Sequence, residues 1–342
     1  MSSLSRKSVV VGVDGGQSST KAVVADLAGR PLGWSEGGPI WHVDEPGGLE
    51  RVRAAITDAV GGALAHAGAS AGQVSHAFLA LTGSTDAGAA VARALLPHAV
   101  VATDSDALAA LASGAYGRPG LALVAGTGSV AVAVDADGNQ TFRGGWGPTL
   151  GDEGSAYWIG LRALRAIARA DDGTGPATSL SAAVLGRLQV THARELFDRA
   201  YDGTLYRGAI AALAPFVIQC AVAGDGVAAG IRRDAVAALL TLVRATAAAA
   251  NLPTDARHVV LSGGLLLHVD ELARPLAAAI RNDLPDFTAD RPSVPPVVGA
   301  VALALRAAGE QSERLLPALI NSPIWPADLL PASALNRKVP TP

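Results

Sequence analysis

The sequence predicts an α/β protein of two domains, each opening on a three-stranded β-meander and continuing in helices. Three observations predict it. The chain has 342 residues, and at roughly 100–200 residues per domain that makes about two. A pattern of strand, Gly-rich turn, strand, Asp-x-x-Gly turn and strand occurs twice, over Val9–Gly33 and Leu121–Gly145. Helical periodicity follows each copy. A repeated meander with helices after it is the signature of a duplicated α/β architecture.

In the first copy, the β-branched run Val9–Val13 leads into Asp14-Gly15-Gly16-Gln17-Ser18-Ser19. In the second, the strand from Leu121 leads into Gly126-Thr127-Gly128-Ser129, and Asp135-Ala136-Asp137-Gly138 makes the next turn. Ala-rich amphipathic patterns predict helices over 50–68 and 85–96. Val100–Asp104 reads as a short strand, with a helix from about Asp106. Tyr157, Leu161, Leu164 and Ile167 share one face of a helix over 152–170. That helix would carry Asp152 and Glu153 in its first turn, where negative charge suits the dipole. A long Ala/Leu/Val helix is predicted over 227–250, a buried strand over His258–Ser262 and a last helix over about 297–308. The remainder, rich in Pro, Ser and Asn, reads as irregular.

The domains expected are 1–118, with the 297–308 helix packing back on it, then 119–296, then a tail over 309–342. The restart of the repeat puts the boundary near Gly117–Gly120.

Composition narrows the function. Half the residues are hydrophobic and 17% are charged, enough apolar material for real cores. A net charge of −3 with no basic stripe argues against nucleic acid. The single cysteine, Cys220, cannot build a disulfide framework, a Cys-rich zinc site or an iron–sulfur cluster. Seven scattered histidines show no H-E-x-x-H spacing. His42, His66, His98 and Cys220 are read as structural. The run from Val9 to Val13 stops at Asp14, too early for a signal peptide, and no 18-residue uncharged apolar stretch appears. A cytoplasmic chain without a membrane partner is expected.

Five segments can carry chemistry. Asp14-Gly15-Gly16-Gln17-Ser18-Ser19 lets the backbone approach a phosphate, with hydroxyls as extra donors and Asp14 to orient a hydrated Mg²⁺. An ordinary hairpin turn with a capping Asp is the alternative. Gly126-Thr127-Gly128-Ser129 is its counterpart, and two such turns can hold a polyphosphate from both sides. The same glycines fit a dinucleotide fingerprint, Gly126-x-Gly128-x-x-Ala131. That motif needs a helix next, whereas the residues that follow read as a strand. No G-x-x-x-x-G-K-[ST] is present.

Asp104 ends a strand, where a carboxylate can accept a proton from a hydroxyl attacking a γ-phosphate. Asp106 is the better placed of the two to cap the following helix, which leaves Asp104 free. Gly144-Gly145-Trp146-Gly147 and Leu150-Gly151-Asp152-Glu153-Gly154-Ser155 combine flexible backbone, an aromatic face and carboxylates, a set that suits a sugar or, more plainly, a packed turn with capping acids. Ser262-Gly263-Gly264 ends a strand closely enough for backbone to lie against an adenosine.

Taken in order, D-G-G-x-[ST], T-D after a strand, G-T-G-S, G-G-W-G and G-D-E-G-S-A-Y-W-I-G resemble the N-acetylglucosamine kinases of the BadF/BadG/BcrA/BcrD ATPase family. The resemblance is strong over Val9–Gly160 and continues weakly to the helix near Val297. It implies duplicated actin-like, ribonuclease-H-like domains with an ATP cleft between them, and phosphorylation of an amino sugar with ATP and Mg²⁺. It implies Asp104 as the sugar-hydroxyl base, Ser18 and Thr127 as phosphate contacts and Ala211 near the adenine. Asp14, which also serves the metal, with Gly15, Gly16, Gly126, Gly128 and Gly263, joins them on the nucleotide side from the turns read above. Asp104, Gly145, Trp146, Gly147 and Asp152 fall on the sugar side. The partners expected are a small-molecule sugar and a second copy of the chain.

One segment departs from the pattern. Family members carry an Asn after the first meander that holds the sugar; here Gly38-Pro39-Ile40-Trp41-His42 has none. N-acetylglucosamine is the first expectation. Glucosamine, N-acetylmuramic acid, or a non-kinase ATPase or sugar sensor of the same fold remain alternatives.

Overall fold

The structure, a computed structural model, describes residues 8–16, 19–40, 47–83, 85–115, 117–292 and 294–310, together with Leu315, Ala318, Leu319 and Ile324. The chain divides into two compact units, residues 1–118 with 292–342, and residues 119–291.

The first unit is built on a five-stranded sheet of β1 (Val9–Gly15), β2 (Thr20–Asp26), β3 (Pro31–Gly37), β4 (Val74–Leu81) and β5 (Val100–Ser105), in the order β3-β2-β1-β4-β5. β1, β2 and β3 form the antiparallel meander that the β-branched runs of the first two strands and the Asp26-to-Gly29 turn prescribe. β4 and β5 join in parallel. Two helices, α1 (Gly48–His66) and α2 (Thr85–Leu95), pack on one face. On the other lie α3 (Asp106–Ala115) and α13 (Pro296–Ala307). Val10, Val23, Val297, Val301 and Leu305 form the core there, all fully buried, each contributing about 1.5–3 kcal/mol by leaving water. Leu319, which the sequence places in an irregular tail, is fully buried in the same cluster, and Leu315 and Ile324 pack against it.

The second unit repeats the plan. Its sheet comprises β6 (Gly120–Ala125), β7 (Ser129–Val134), β8 (Gln140–Gly144), β9 (His258–Ser262) and β10 (Thr288–Asp290), ordered β10-β9-β6-β7-β8. Both sheets therefore set a meander beside two parallel strands in the same spatial order, and the duplication read from the sequence is borne out.

The helices of this unit are α4 (Gly147–Leu150), α5 (Ala156–Asp171), α6 (Leu180–Leu188), α7 (Glu195–Tyr201), α8 (Arg207–Ala211), α9 (Ala214–Val222), α10 (Gly226–Ala249), α11 (Gly264–His268) and α12 (Asp270–Asp283). Their core includes Leu121, Leu123, Ile159, Ile167, Val217 and Leu239, all fully buried. No single helix among the described residues is long and apolar enough to cross a membrane.

Three local expectations need correction. α5 starts at Ala156, with Ser155 as its N-cap accepting from Trp158 N–H at 3.2 Å. Asp152 and Glu153 therefore precede the helix rather than filling its first turn. Asp152 instead adopts a left-handed backbone, φ 61°, a region where Asp is among the few tolerated side chains. The cap of α3 is Ser105, whose Oγ accepts from Ala107 N–H at 3.2 Å, not Asp106. And β7 follows Gly126–Ser129 as an antiparallel strand, so the dinucleotide fingerprint is excluded.

Candidate active site

In the first unit, β1, β4 and β5 run parallel, so their C-terminal ends line one edge of the sheet, the edge at which open α/β sheets bind ligands. Asp14 and Asp104 both pair with Ala80, from opposite sides. They share one row, about 10 Å apart at two strand spacings. Gly15 closes this edge by accepting from Thr82 N–H at 3.0 Å. The hairpin loop closes through Gly16 N–H to Ser19 O, also 3.0 Å. Ser18, Trp41 and His42 lie outside the described residues.

Three carboxylates meet this edge in different states. Asp106 is engaged: Thr82 Oγ1 donates to its Oδ2 at 2.7 Å, and Ser105 Oγ to its Oδ1 at 3.3 Å. Asp104 accepts from the backbone N–H of Ser105 at 2.7 Å through Oδ1 only. Its Oδ2 has no partner among the described residues. Asp14 keeps part of its surface accessible while its carboxyl is enclosed by protein. Burial first, and the Asp106 charge second, push its carboxyl up to about 7 against the opposing pull of Lys21.

In the second unit, the Gly126–Ser129 turn is bound to the start of α5. Ala156 N–H donates to Gly126 O at 2.9 Å and Tyr157 N–H to Thr127 O at 3.4 Å. The backbone N–H groups of Thr127 and Gly128 make no hydrogen bond among the described residues, as an anion-accepting turn requires. Gly263 approaches from the end of β9. Its φ of 88° and ψ of 149° suit glycine alone, and a Cβ there would stand 2.4 Å from Ala125 O. Gly126 and Gly264 also lie close: a Cβ on Gly126 would be 3.6 Å from Gly264 N. The structure thus gathers Gly126, Thr127, Gly128 and Gly263 at one place.

Beneath this turn runs an ion pair. Arg207 Nη2 donates to Asp152 Oδ2 at 2.7 Å, while Asp152 Oδ1 accepts from Ser129 N–H at 3.1 Å. Asp152 is 3% exposed. The carboxylate uses two of its roughly four acceptor positions on protein, which leaves capacity for a hydroxyl. Gly145 N–H donates to Ser129 O at 2.9 Å, so the Gly144–Gly147 loop and the Gly126–Ser129 turn share Ser129. Trp146 is 72% exposed at the head of α4, and Gly145 and Gly147 flank it with φ of 73° and 77°. Ala211 differs from expectation: it is buried in the hydrophobic core, one turn along α8 from Arg207.

Residues 11–304 match the BadF/BadG/BcrA/BcrD ATPase family. The chain belongs to that family. It is 34% identical to an N-acetyl-D-glucosamine kinase of Dictyostelium discoideum over 59% of this chain and 64% of that one. It is 30% identical to an N-acetylmuramic acid/N-acetylglucosamine kinase of Clostridium acetobutylicum over 49% and 55%. The chain therefore spans less than two thirds of either curated relative. A solved structure from Chromobacterium violaceum, provisionally named an N-acetylglucosamine kinase, superposes with a TM-score of 0.69 at 26% identity, covering 88% of this chain and 99% of that one. The fold is the two-domain actin-like fold of sugar kinases.

For a BadF/BadG/BcrA/BcrD ATPase, the donor set at the strand edge fits a hydrated divalent cation. Such an ion takes one or two carboxylates together with phosphate oxygens. Asp14 and Asp106 are two carboxylates close enough to repel. No three His, Cys, Asp or Glu side chains cluster as a closed metal cage among the described residues. Sequence reasoning missed Thr82 and Arg207 as members of these sites. Thr82 could have been found as the first polar residue after the apolar run Ala77–Leu81; Arg207 carries no local signal.

Proposed function

We propose that this family member is an ATP-dependent kinase that transfers the γ-phosphoryl group of ATP to the primary hydroxyl of an amino sugar, N-acetylglucosamine first. The observation that carries the reading is the free edge of Asp104. Ser105 does the capping and Thr82 occupies Asp106, so Asp104 Oδ2 is left to accept a proton.

In this reading the sugar hydroxyl attacks the γ-phosphorus and gives its proton to Asp104. The bond from that phosphorus to the β,γ-bridging oxygen breaks, and ADP leaves with the electron pair. Thr127 and Gly128 offer backbone N–H groups to the phosphates. Asp14, with Asp106 beside it, would hold Mg²⁺, which would supply neutralisation of the phosphate charge. Trp146 offers its exposed ring to the apolar face of the sugar, and Asp152 an acceptor to a hydroxyl. The names of the curated relatives support an amino sugar over a plain hexose.

The test is coupled ATP consumption by purified protein with N-acetylglucosamine, glucosamine, N-acetylmuramic acid and glucose, and NMR of the product to locate the phosphate. Sugar-stimulated turnover with N-acetylglucosamine and phosphate at O6 is expected. A strong preference for glucose would overturn the substrate. No stimulation by any sugar would overturn the kinase reading.

A further inference from the structure

Arg207 lies 55 positions from Asp152 in sequence, yet its Nη2 stands 2.7 Å from Asp152 Oδ2. The same Nη2 is 3.0 Å from where a Cβ on Gly128 would be, and both oxygens of Asp152 are 2.9 Å from that point. The ion pair therefore presses directly on the turn, and glycine is the residue that leaves it room. Asp152 in turn holds Ser129 N–H, the next residue of the turn. Arg207 Nε is buried and has no hydrogen-bond partner among the described residues. A guanidinium with an unspent buried N–H has capacity for one more acceptor, and such groups are seldom left unpaired.

We infer that Arg207 is a positioning residue of the phosphotransfer site: it holds Asp152 in its left-handed conformation, and through Asp152 it couples the sugar loop to the Gly126–Ser129 phosphate turn. This rests on the kinase reading. Asp152 sits at the end of the loop that carries Gly145, Trp146 and Gly147, and it bonds the turn that carries Thr127. A shift in Arg207 moves both together. Fixing both from α8 sets the reacting groups at one distance, and misplacement by about 1 Å can cost roughly 10²-fold in rate.

The experiment compares wild type, Arg207→Met, Arg207→Lys, Asp152→Asn and the double variant Arg207→Met/Asp152→Asn. Asn tolerates the left-handed backbone of position 152, and the double variant leaves neither charge unpaired, so folding is preserved where a single truncation strains it. Arg257→Met, which removes an ordinary surface pair with Asp286, serves as the control. Turnover is read as separate kcat and KM values, and magnesium–ADP binding by calorimetry is measured on every variant. Arg207→Met is expected to lower kcat/KM by about 10²-fold and weaken ADP binding about tenfold, with Arg207→Lys recovering part of each. The double variant is expected to be no worse than Asp152→Asn alone, since groups acting through one another are non-additive. Losses that multiply in the double variant, or wild-type behaviour of Arg207→Met, would overturn the inference. A wild type without sugar-stimulated turnover defeats the kinase reading instead, and the ADP series then decides the role of Arg207 by itself.

Discussion

Thr82 Oγ1 donates to Asp106 Oδ2 at 2.7 Å, tying the end of β4 to the first residue of α3. Two carboxylates two positions apart are thereby given different fates. Asp106 is held as part of the scaffold, and its charge bears on Asp14. Asp104 keeps one oxygen without a protein partner among the described residues. A scaffold that fixes one carboxylate and spares its neighbour leaves that neighbour able to accept a proton, as the proposed role of Asp104 requires.

Asp104→Asn should therefore keep nucleotide and sugar binding while lowering kcat by about 10²–10⁴-fold, the usual scale of general-base loss. Steady-state kinetics with calorimetric binding of ADP and sugar checks this. Turnover within a fewfold of wild type would reject Asp104 as the base.

Asp14 makes a prediction about pH. Its carboxyl is raised from 3.8 to about 7, so in this interval the folded chain binds more protons than the unfolded one. Stability from this group is full below about 3.8 and is lost as pH rises toward 7, because the slope of stability with pH is negative wherever the native state holds the extra proton. Lys21 and Asp106 are the charged groups that act on it. Asp14→Asn should abolish this decline: the variant gains most in melting temperature over wild type at pH 8, less at pH 5 and little at or below about pH 3.8. It should also lose more than about 10²-fold of magnesium-dependent turnover, a stability–activity trade of the kind functional carboxylates show. Thermal unfolding of both proteins without nucleotide, at several pH values, is the measurement. A constant difference across pH would contradict it.

The turn glycines make the third. A Cβ on Gly263 would stand 2.4 Å from Ala125 O, at a backbone conformation that suits only glycine. Gly263→Ala should cost about 1–3 kcal/mol or more, read as a lower melting temperature. Gly128→Ala is different in kind. Its Cβ would meet the Asp152–Arg207 pair rather than backbone. Side chains can give way, so Gly128→Ala should spare the fold better than Gly263→Ala and weaken ADP binding more. The reverse order would show that the turn does not carry the nucleotide.

What the sequence disclosed follows from how local each signal is. The two meanders were legible because Val- and Ala-rich strand runs between Gly and Asp turns need nothing outside themselves. Asp104 was legible as a strand-terminal acid for the same reason. The segment from Leu180 to Val222 was not, because α6 to α9 are short and take their stability from packing around Leu180, Val184, Val217 and Ile218 in the core. Asp152 was seen but misplaced: charge in a first turn was the local expectation, whereas contact with Ser129 and Arg207, 23 and 55 positions away, fixed its backbone. Ala211 was placed by the family resemblance alone, where that resemblance is loose, and the structure buries it in the core.

Trp146 carries the last prediction. A Trp that is 72% exposed contributes little to folding, and surface substitutions away from special features stay within about 0.5 kcal/mol. Its neighbours point to another use. Gly145 and Gly147 hold left-handed conformations on either side, and Gly145 is bonded to Ser129 of the Gly126–Ser129 turn. The ring is thus presented from a loop anchored beside the turn proposed to hold the nucleotide. Covering about 50 Å² of its face with the apolar side of a sugar would contribute about 1.3 kcal/mol at about 25 cal/mol per Å², roughly tenfold in affinity. Trp146→Ala should then raise KM for the sugar about tenfold, leave KM for ATP nearly unchanged and leave the melting temperature within a degree or two of wild type. Trp146→Phe should recover most of the loss, since a smaller ring still offers a flat apolar face. Kinetics varying each substrate in turn checks this. A loss confined to ATP affinity, or a large fall in melting temperature, would show that Trp146 serves the nucleotide or the fold and not the sugar.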